Sequence, residues 1–481
     1  MKNRVFHNPL DGRFTTVRRS YEDAEPQNGR SCSENNATNA WNVRASDGNL
    51  NNNNNKSSSY RCRAVAATDG FSEFLGSVRE AYRDCLRGKR RSAQAVEYMQ
   101  YANDDIPVLA REMWSGIYHQ GTSTCFLIRY PKLREVFAAG FRDRIVHHWI
   151  CLRLEPLFED RFKKHGDVTF NCRKGYGTDR CVRHLAEGSR KVSSNYTKEA
   201  WLFKGDISGF FMSIDKILLM NMLDRFIRRW KARYEREGWS RIGKAMPVMY
   251  WDILMRLTRI VVLHHPENDC VFNTPVNAWK DLAANKSLFN NGEKGEPIGN
   301  LTTQLFANFY MSYFDEYVIH LFRGRNFAYD RFVDDWVVQC DDKRFLLDSI
   351  QRQEFFLDWV LHLRMHPNKR YVQPVSHGVQ FIGAYIKPNR IYLSNRTLAR
   401  FMERAVGFAR LMGKKPLTPI DCFRIEQVIN SYLGFCKDKH TYNKRKEIVS
   451  RMGMKMYKYF YVRGHYSSIR TKREYRMLNI N

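Results

Sequence analysis

The segment YDRFVDDWVVQC, residues 329–340, constrains the fold more than any other part of the sequence. Asp334 and Asp335 stand side by side between apolar residues and the strand-forming run at residues 336–338. The pattern predicts two short buried strands joined at an acidic tip. Adjacent carboxylates repel each other and are costly at the end of apolar strands unless cations neutralise them. A solvated turn is the alternative interpretation.

A second acidic centre lies far upstream, in WLFKGDISGFFMSID, residues 201–215. Asp206 follows a short apolar stretch and precedes Ile207, so we expect it at a strand end as well. Asp206, Asp334 and Asp335 together could hold two Mg²⁺ ions, which activate a 3′-hydroxyl and stabilise leaving pyrophosphate in nucleotidyl transfer. The combination is much more specific than either segment alone.

The composition favours a polyanionic partner. The 481 residues include 79 Lys+Arg against 50 Asp+Glu, a formal charge of +29, and nucleic acid is the first candidate because aromatic residues are interleaved with the cations. A ribosome-like or membrane-surface protein could be equally basic. Eleven scattered cysteines without CxxC pairs indicate a reducing, cytoplasmic setting, and we expect neither a signal peptide nor a membrane span.

Two upstream segments offer cations for phosphate groups. Arg142 lies on a predicted helix whose apolar face points elsewhere, with a solvated basic face as the alternative. In NCRKGYGTDRCVRHL, residues 171–185, Arg173 and Lys174 precede Gly175 and Gly177, which allow the backbone to approach a phosphate closely. This segment is a candidate triphosphate cradle.

Three further residues are candidates for contacts to the nucleotide. Phe211 follows Asp206 by five residues and could stack under the sugar and exclude a 2′-hydroxyl, or belong to the core. Gln304 lies on the first turns of a helix predicted after residue 299 and could touch the template. Lys369 could protonate the leaving pyrophosphate, or be a surface lysine.

The last third of the chain is predicted to change from strands to helices. Residues 376–393 alternate apolar and polar side chains with glycine at the turns, which predicts a hairpin. From residue 394 onward we expect a helical, strongly basic region that tracks a duplex backbone.

The beginning of the chain differs in composition. Residues 39–65 are rich in Asn, Ser and Gly and predict either a polar linker or a small docked element. The segment resembles the closing stretch of variable proteins diversified by diversity-generating retroelements, where a Trp, a Ser-Asp-Gly turn and an Asn run precede an Arg-containing strand.

The order of the segments resembles the fingers, palm and thumb motifs of reverse transcriptases. RDRIVHH, RKGYGTD, GDISGFFMSID, PIGNLTTQ, FVDD, HPNK and QFIGAYI occur in that order across residues 71–433. The block around PIGNLTTQLFANFY is most similar to bacterial enzymes of diversity-generating retroelements and of the unknown-group, defence-associated type. The resemblance implies a mixed α/β (α+β) right-hand polymerase.

The resemblance also implies roles for individual residues. It makes Asp206, Asp334 and Asp335 catalytic metal ligands, with the Ile207 backbone as a further ligand and Mn²⁺ as an alternative to Mg²⁺. It places nucleotide or template contacts at Arg142, Arg173, Lys174, Phe211, Gln304 and Lys369. It makes Phe381, Ile382 and Gly383 the primer grip.

Two positions depart from the family pattern. Phe332 stands where a Tyr is usual, and Thr303 replaces the Ser before Gln304. Neither change removes a metal ligand, so polymerisation should survive with altered primer handling or fidelity.

The implied organisation is an extension at residues 1–65, fingers at 66–200, a palm at 201–395 with a loop insertion at 264–295, and a helical basic thumb at 396–481. The implied function is addition of dNTPs to a 3′ end on an associated non-coding RNA, giving a DNA product, in antiphage defence. Diversification of a target gene is the alternative, and a catalytically silent RNA-binding scaffold is an alternative of another class. A homo-oligomer or a partner protein is compatible with the sequence.

Overall fold

A computed structural model describes most of the chain after residue 58. Side chains are described for residues 70–129, 132–238, 248–437 and 439–476, and the backbone alone for residues 59–69, 239–242 and five short strands nearer the start. These strands are β1 (Phe6–His7), β2 (Phe14–Thr15), β3 (Arg30–Glu34), β4 (Asn39–Arg44) and β5 (Leu50–Asn55).

The Asn run of the sequence forms a strand. β5 contains it, and the backbone pairs in the antiparallel order β3-β4-β5. The likeness of residues 1–65 to a variable region concerns side chains outside the described residues, and it stays a prediction.

Helices dominate the next part of the chain, which also contains one antiparallel pair of strands. The elements are α1 (Ser59–Leu86), α2 (Ala93–Met99), α3 (Ala102–Ser115), β6 (Ser123–Ile128), β7 (Arg134–Ala138), α4 (Phe141–Lys164) and α5 (Thr178–Val192). Phe141 and Ile145 of α4 are buried, as the helical periodicity predicts.

The central part of the chain alternates helices with the strands of one sheet. Its elements are β8 (Trp201–Gly205), α6 (Phe210–Ser213), α7 (Lys216–Ile242), α8 (Trp251–Val262), β9 (Cys270–Phe272), α9 (Leu301–Leu321), β10 (Phe327–Phe332), β11 (Asp335–Cys340), α10 (Lys343–Leu361) and β12 (Tyr371–Pro374). Short 3₁₀ turns occupy much of the predicted loop insertion.

The sheet that organises this part has the antiparallel order β10-β11-β8-β12. Helix α9 packs behind it with Phe306, Phe309, Tyr310 and Phe314, none of which is exposed to solvent. One continuous apolar core joins helices α1, α3, α4 and α9 to this sheet. These four aromatics therefore belong to the core.

The final part has its own apolar core. It contains β13 (Val379–Phe381), β14 (Ala384–Lys387), β15 (Arg390–Leu393), α11 (Asn395–Lys414), α12 (Pro419–Lys437), α13 (Tyr442–Ser450), α14 (Met456–Tyr459), β16 (Phe460–Arg463) and β17 (Ser468–Thr471). A separate cluster of buried residues joins α11, α12 and α13 to the β16–β17 pair.

Two details of the sequence prediction are wrong here. Residues 376–393 form three antiparallel strands instead of a hairpin, because the turn at Asn389 returns the chain for β15. The region after residue 394 is not helical throughout, since Val462 pairs with Ile469 in the β16–β17 hairpin, whose alternation of apolar and polar residues suits a strand. The mixed α/β class itself is confirmed.

Among the described helices, none combines the length and the apolar character needed to cross a bilayer.

Candidate active site

The acidic tip forms at the turn between β10 and β11. Phe332 and Asp335 are the last paired residues, so Val333 and Asp334 make the turn, and Val333 adopts a left-handed φ of 61°. The Val333 N–H donates to Oδ1 of Asn171 at 2.8 Å. The predicted pair of strands with an acidic end is therefore confirmed, and the turn is held by a side chain from another segment.

Asp206 reaches the same tip through strand pairing. Trp336 of β11 lies opposite Gly205 of β8. The next residues along the two antiparallel strands are Asp335 and Asp206. They therefore meet at one end of the sheet. Asp206 is 6% exposed. Side chains from distant parts of the sequence thus converge as the motifs predict.

The carboxyl groups influence each other's charge. Burial raises the pKa of Asp334 to about 7, and the neighbouring charges of Asp335 and Asp206 add to this shift. Burial also raises the pKa of Asp335; the Lys204 ammonium opposes the shift, and Asp206 adds to it. The site carries more negative charge than its surroundings compensate.

Two lysines lie against this acidic cluster. Nζ of Lys369 is 2.5 Å from Oδ2 of Asp206, and the His366 N–H donates to the Asp206 carbonyl at 2.8 Å. Nζ of Lys204 is 3.6 Å from Oδ1 of Asp335 and donates to the Gln380 carbonyl at 3.3 Å. The segment HPNK is thus fixed beside the aspartates by backbone and side-chain contacts.

The three carboxylates supply the donor type that a hard divalent cation takes, without a preformed cluster among the described residues. Within the described ranges no three His, Cys, Asp or Glu side chains are already grouped as a metal cluster, and Asp206 uses one oxygen for Lys369. Carboxylate oxygens are nevertheless the ligands that Mg²⁺ prefers, and their mutual repulsion is what such a cation relieves. Asp206, Asp334 and Asp335 are the residues that would hold it, and a ligand role for the Ile207 backbone stays a prediction.

The predicted primer grip borders the acidic cluster. Phe381 is buried, and Ile382 and Gly383 turn the chain from β13 to β14 with φ of 38° and 86°. Ile382 and Gly383 line a cavity of about 430 Å³ together with Asp335 and with Arg396 and Arg400 of α11. The cavity connects the acidic tip to a basic helix.

The predicted nucleotide contacts Phe211 and Gln304 lie on separate elements. Phe211 is partly buried on α6, with its ring centroid 5.2 Å from that of Phe210, which is buried. Gln304 is exposed on the first turn of α9, where its Oε1 lies 3.4 Å from Sγ of Cys172. Gln304 therefore adjoins the segment that contains Arg173 and Lys174.

The side chain of Arg173 is not free to bind phosphate. Its side chain is 1% exposed and donates to both oxygens of Glu159, to Asp167 at 2.7 Å and to the Thr169 carbonyl. Phosphate would have to displace these buried partners, so Arg173 acts as a structural anchor in this conformation. The prediction missed this because Glu159 lies on α4, outside the motif.

Arg142 and Lys174 are also paired with acidic residues. Arg142 contacts Asp105 at 3.0 Å and Glu112 at 2.7 Å, which ties α4 to α3 instead of to the acidic tip. Lys174 contacts Glu155 at 2.6 Å, but its side chain is 73% exposed and remains accessible. Their roles in nucleotide binding stay predictions.

Sequence reasoning missed the buried polar network that supports the acidic tip. Arg331 pairs with Asp315 at 2.6 Å and donates to the Val333 carbonyl at 2.9 Å. Asn308 accepts from Arg331 at 3.0 Å and donates to the Asn171 carbonyl at 3.1 Å. The available signal was the presence of Asn308 and Asp315 within an otherwise apolar helix, because buried polar groups require partners.

The sequence is similar to two characterised chains over different lengths, although no protein-family profile matches it. It is 22% identical over 344 residues to Protein YkfC of Escherichia coli K12, covering 63% of this chain and 77% of that one. It is 32% identical over 170 residues to Nuclear intron maturase 1, mitochondrial, of Arabidopsis thaliana, covering 35% of this chain and 21% of the maturase.

Solved structures of telomerase align with this chain at low identity. Telomerase from Candida albicans in complex with a fragment of telomeric RNA aligns with a TM-score of 0.40 at 12% identity, covering 70% of this chain and 56% of that one. Apo telomerase from Candida tropicalis aligns with a TM-score of 0.41 at 9% identity and the same coverage. This chain spans little more than half of those proteins and about a fifth of the maturase.

Proposed function

We propose that this chain is an RNA-directed DNA polymerase that adds deoxynucleotides to a 3′-hydroxyl. The observation that carries the proposal is the convergence of Asp206, Asp334 and Asp335 at one end of an antiparallel sheet, with Lys369 against Asp206. The intron maturase similarity and the order of the sequence motifs support the same class of reaction.

The acidic residues would hold two Mg²⁺ ions, or Mn²⁺ in their place. Bound metal would activate the attacking hydroxyl and stabilise charge on the leaving pyrophosphate. Burial, with the neighbouring carboxylate charges in addition, raises the pKa of Asp334 and Asp335, and a bound cation would stabilise their ionised forms. Lys369, which lies beside Asp206, would donate a proton near the leaving group.

The surroundings suit a primer and template. The cavity that Asp335 shares with Ile382, Gly383 and the cations of α11 would receive the primer end, because arginines near the phosphate backbone position it. Phe211 would exclude the 2′-hydroxyl of a ribonucleotide. The net charge of +29 favours binding of nucleic acid, and the template we propose is an associated non-coding RNA.

For the biological role we favour antiphage defence, because a stand-alone mutagenic enzyme does not need the Asn-rich extension. Diversification of a target gene is the second candidate, which the likeness of residues 39–65 to a variable region favours. The neighbouring DNA distinguishes these two roles. A near-repeat that differs at adenines, beside a lectin-like gene, would favour diversification.

The experiment that tests the reaction is primer extension by Asp206→Asn and Asp335→Asn. We expect nucleotide addition to fall by about 10³-fold or more, while RNA binding persists. Asp348→Asn is the matched control, because Asp348 is half exposed on α10 and pairs only with Arg352 among the contacts described. Near-normal extension by either site variant would exclude the assignment, and a silent RNA-binding scaffold would then be the better interpretation.

A further inference from the structure

A second, larger cavity lies in the final part of the chain. It has a volume of about 1070 Å³ between α12, the β16–β17 hairpin and the turn before α2 that carries Arg91. None of its lining residues belongs to the cavity that contains Asp335. The polymerase site therefore does not account for it.

The cavity is strongly basic. Its lining includes the arginines Arg91, Arg424, Arg463, Arg470 and Arg476. The acidic residue of the lining is Glu426, which is 13% exposed and uses its carboxylate for the Thr471 N–H at 2.8 Å, the Thr471 hydroxyl at 2.6 Å and Arg470 at 3.1 Å. Glu426 thus holds the hairpin to α12 and leaves the lining with excess positive charge.

Aromatic rings lie among these arginines. Phe423 is 51% exposed and Tyr461 is 39% exposed, although both belong to regular elements whose other faces are buried. Cys422 and Ile425 occupy the buried side of α12, so Phe423 is directed outward by the helical repeat. Tyr475 also lines the cavity and is fixed edge-on against Tyr459 at 4.8 Å.

Exposed aromatic rings beside arginines form a surface that favours one class of ligand. Ring faces stack on nucleobases, and arginines bind the phosphates between them. In a duplex the base faces are stacked on each other, so duplex nucleic acid would contact the arginines but not the rings. An acidic peptide would likewise match the charge and leave the aromatic faces unexplained.

We propose that this cavity binds an unpaired stretch of nucleic acid, with bases stacked on Phe423 and Tyr461 and phosphates on the surrounding arginines. The site would anchor a single-stranded segment away from the acidic tip. Because the cavities share no lining residue, binding here is independent of the proposed polymerase reaction and would persist in Asp335→Asn.

The location is tested by crosslinking the full chain to a 12-nucleotide RNA that contains 4-thiouridine. We expect crosslinked peptides from residues 419–427 and 461–476, in the unaltered protein and in Asp335→Asn alike. Crosslinks confined to other parts of the chain would overturn the proposal. This readout needs no substitution in the cavity and does not depend on catalysis.

Affinity for the same RNA supplies the second measurement. The double variant Phe423→Ala with Tyr461→Ala should bind the single strand about tenfold more weakly or worse, because each stacked base contributes substantially. Phe355→Ala is the matched control, since Phe355 is 60% exposed on α10 and does not line the cavity. Three outcomes would each overturn the proposal. They are an unchanged affinity of the double variant for the RNA, an equal loss of affinity for the matching duplex, and displacement of the RNA by polyglutamate.

Discussion

The ammonium group of Lys369 lies 2.5 Å from a carboxylate oxygen of Asp206, across 163 positions of sequence. The Asp206 side chain is 8% exposed and that of Lys369 is 51% exposed, so the pair joins a buried acid to a solvent-accessible cation. The bridge between Ile207 and Met365 aligns the two segments. Lys369 is therefore positioned by the backbone as well as by its charge.

Replacing Lys369 with Gln should slow nucleotide addition by about 10²-fold, the usual scale for losing a positioned proton donor. Binding of primer and template should change little, because the substitution removes one partly exposed cation. Single-turnover extension separates these effects. Lys164→Gln is the control, since Lys164 is also exposed and paired with a single acid, Asp160, on the same helix. A full-rate Lys369→Gln enzyme would show that another group donates the proton.

Replacing Phe211 with Ala should admit ribonucleotides. The ring is partly buried on α6, which begins at Phe210 shortly after Asp206, and the buried Phe210 keeps the helix anchored when Phe211 is truncated. If Phe211 excludes the 2′-hydroxyl, its removal leaves room for that group. We expect the preference for dNTP over rNTP, measured as a ratio of kcat/KM values, to fall by at least about tenfold, or roughly 1.4 kcal/mol. An unchanged ratio would assign the sugar discrimination to a different residue.

Asn171→Ala should loosen the acidic tip. Oδ1 of Asn171 accepts from the Val333 N–H, and Val333 holds a left-handed φ that side chains rarely adopt. Loss of this acceptor should cost about 1–3 kcal/mol in the free energy of unfolding, measured with urea, and should also reduce primer extension. Asn290→Ala, an exposed replacement, provides the comparison. Equal stability of both variants would mean that Arg331 alone holds the turn.

Local patterns were sufficient to predict the acidic tip. The alternation around Asp334 and the apolar stretch before Asp206 each specify a strand and its end, and antiparallel pairing then brings the ends together. The turn at Ile382 and Gly383 follows from the same kind of local signal.

Partner choice between distant segments could not be predicted in this way. Arg173 has the sequence context of a phosphate ligand, yet Glu159 and Asp167 bind it because α4 packs beside its loop. The β16–β17 hairpin was assigned to a helical region because the basic residues around Val462 and Ile469 obscured a period of two over short strands. The Arg173 contacts depend on tertiary context, which a single sequence specifies only indirectly, whereas the hairpin depends on a local pattern too short to stand out.

The burial of Glu296 predicts that the free energy of unfolding depends on pH. This dependence does not involve the carboxylates of the acidic tip. It is 1% exposed, and its Oε1 has no hydrogen-bond partner among the described residues. Burial raises its pKa from 4.5 to about 8, with Lys216 opposing the shift. Between pH 4.5 and about 8 the folded protein retains a proton that the unfolded chain has lost. The free energy of unfolding should therefore fall as the pH rises through this interval.

Glu296→Gln removes the ionisable group while preserving its shape, so the variant should gain stability over the native protein as pH rises. We expect the two to differ little near pH 4.5 and by about 2–4 kcal/mol near pH 8, from urea unfolding at a series of pH values. Glu293→Gln is the control, because Glu293 is 86% exposed in the same loop and should leave the slope unchanged. Parallel curves for the native protein and Glu296→Gln would show that Glu296 is ionised in the folded state, with Lys216 as its charged partner.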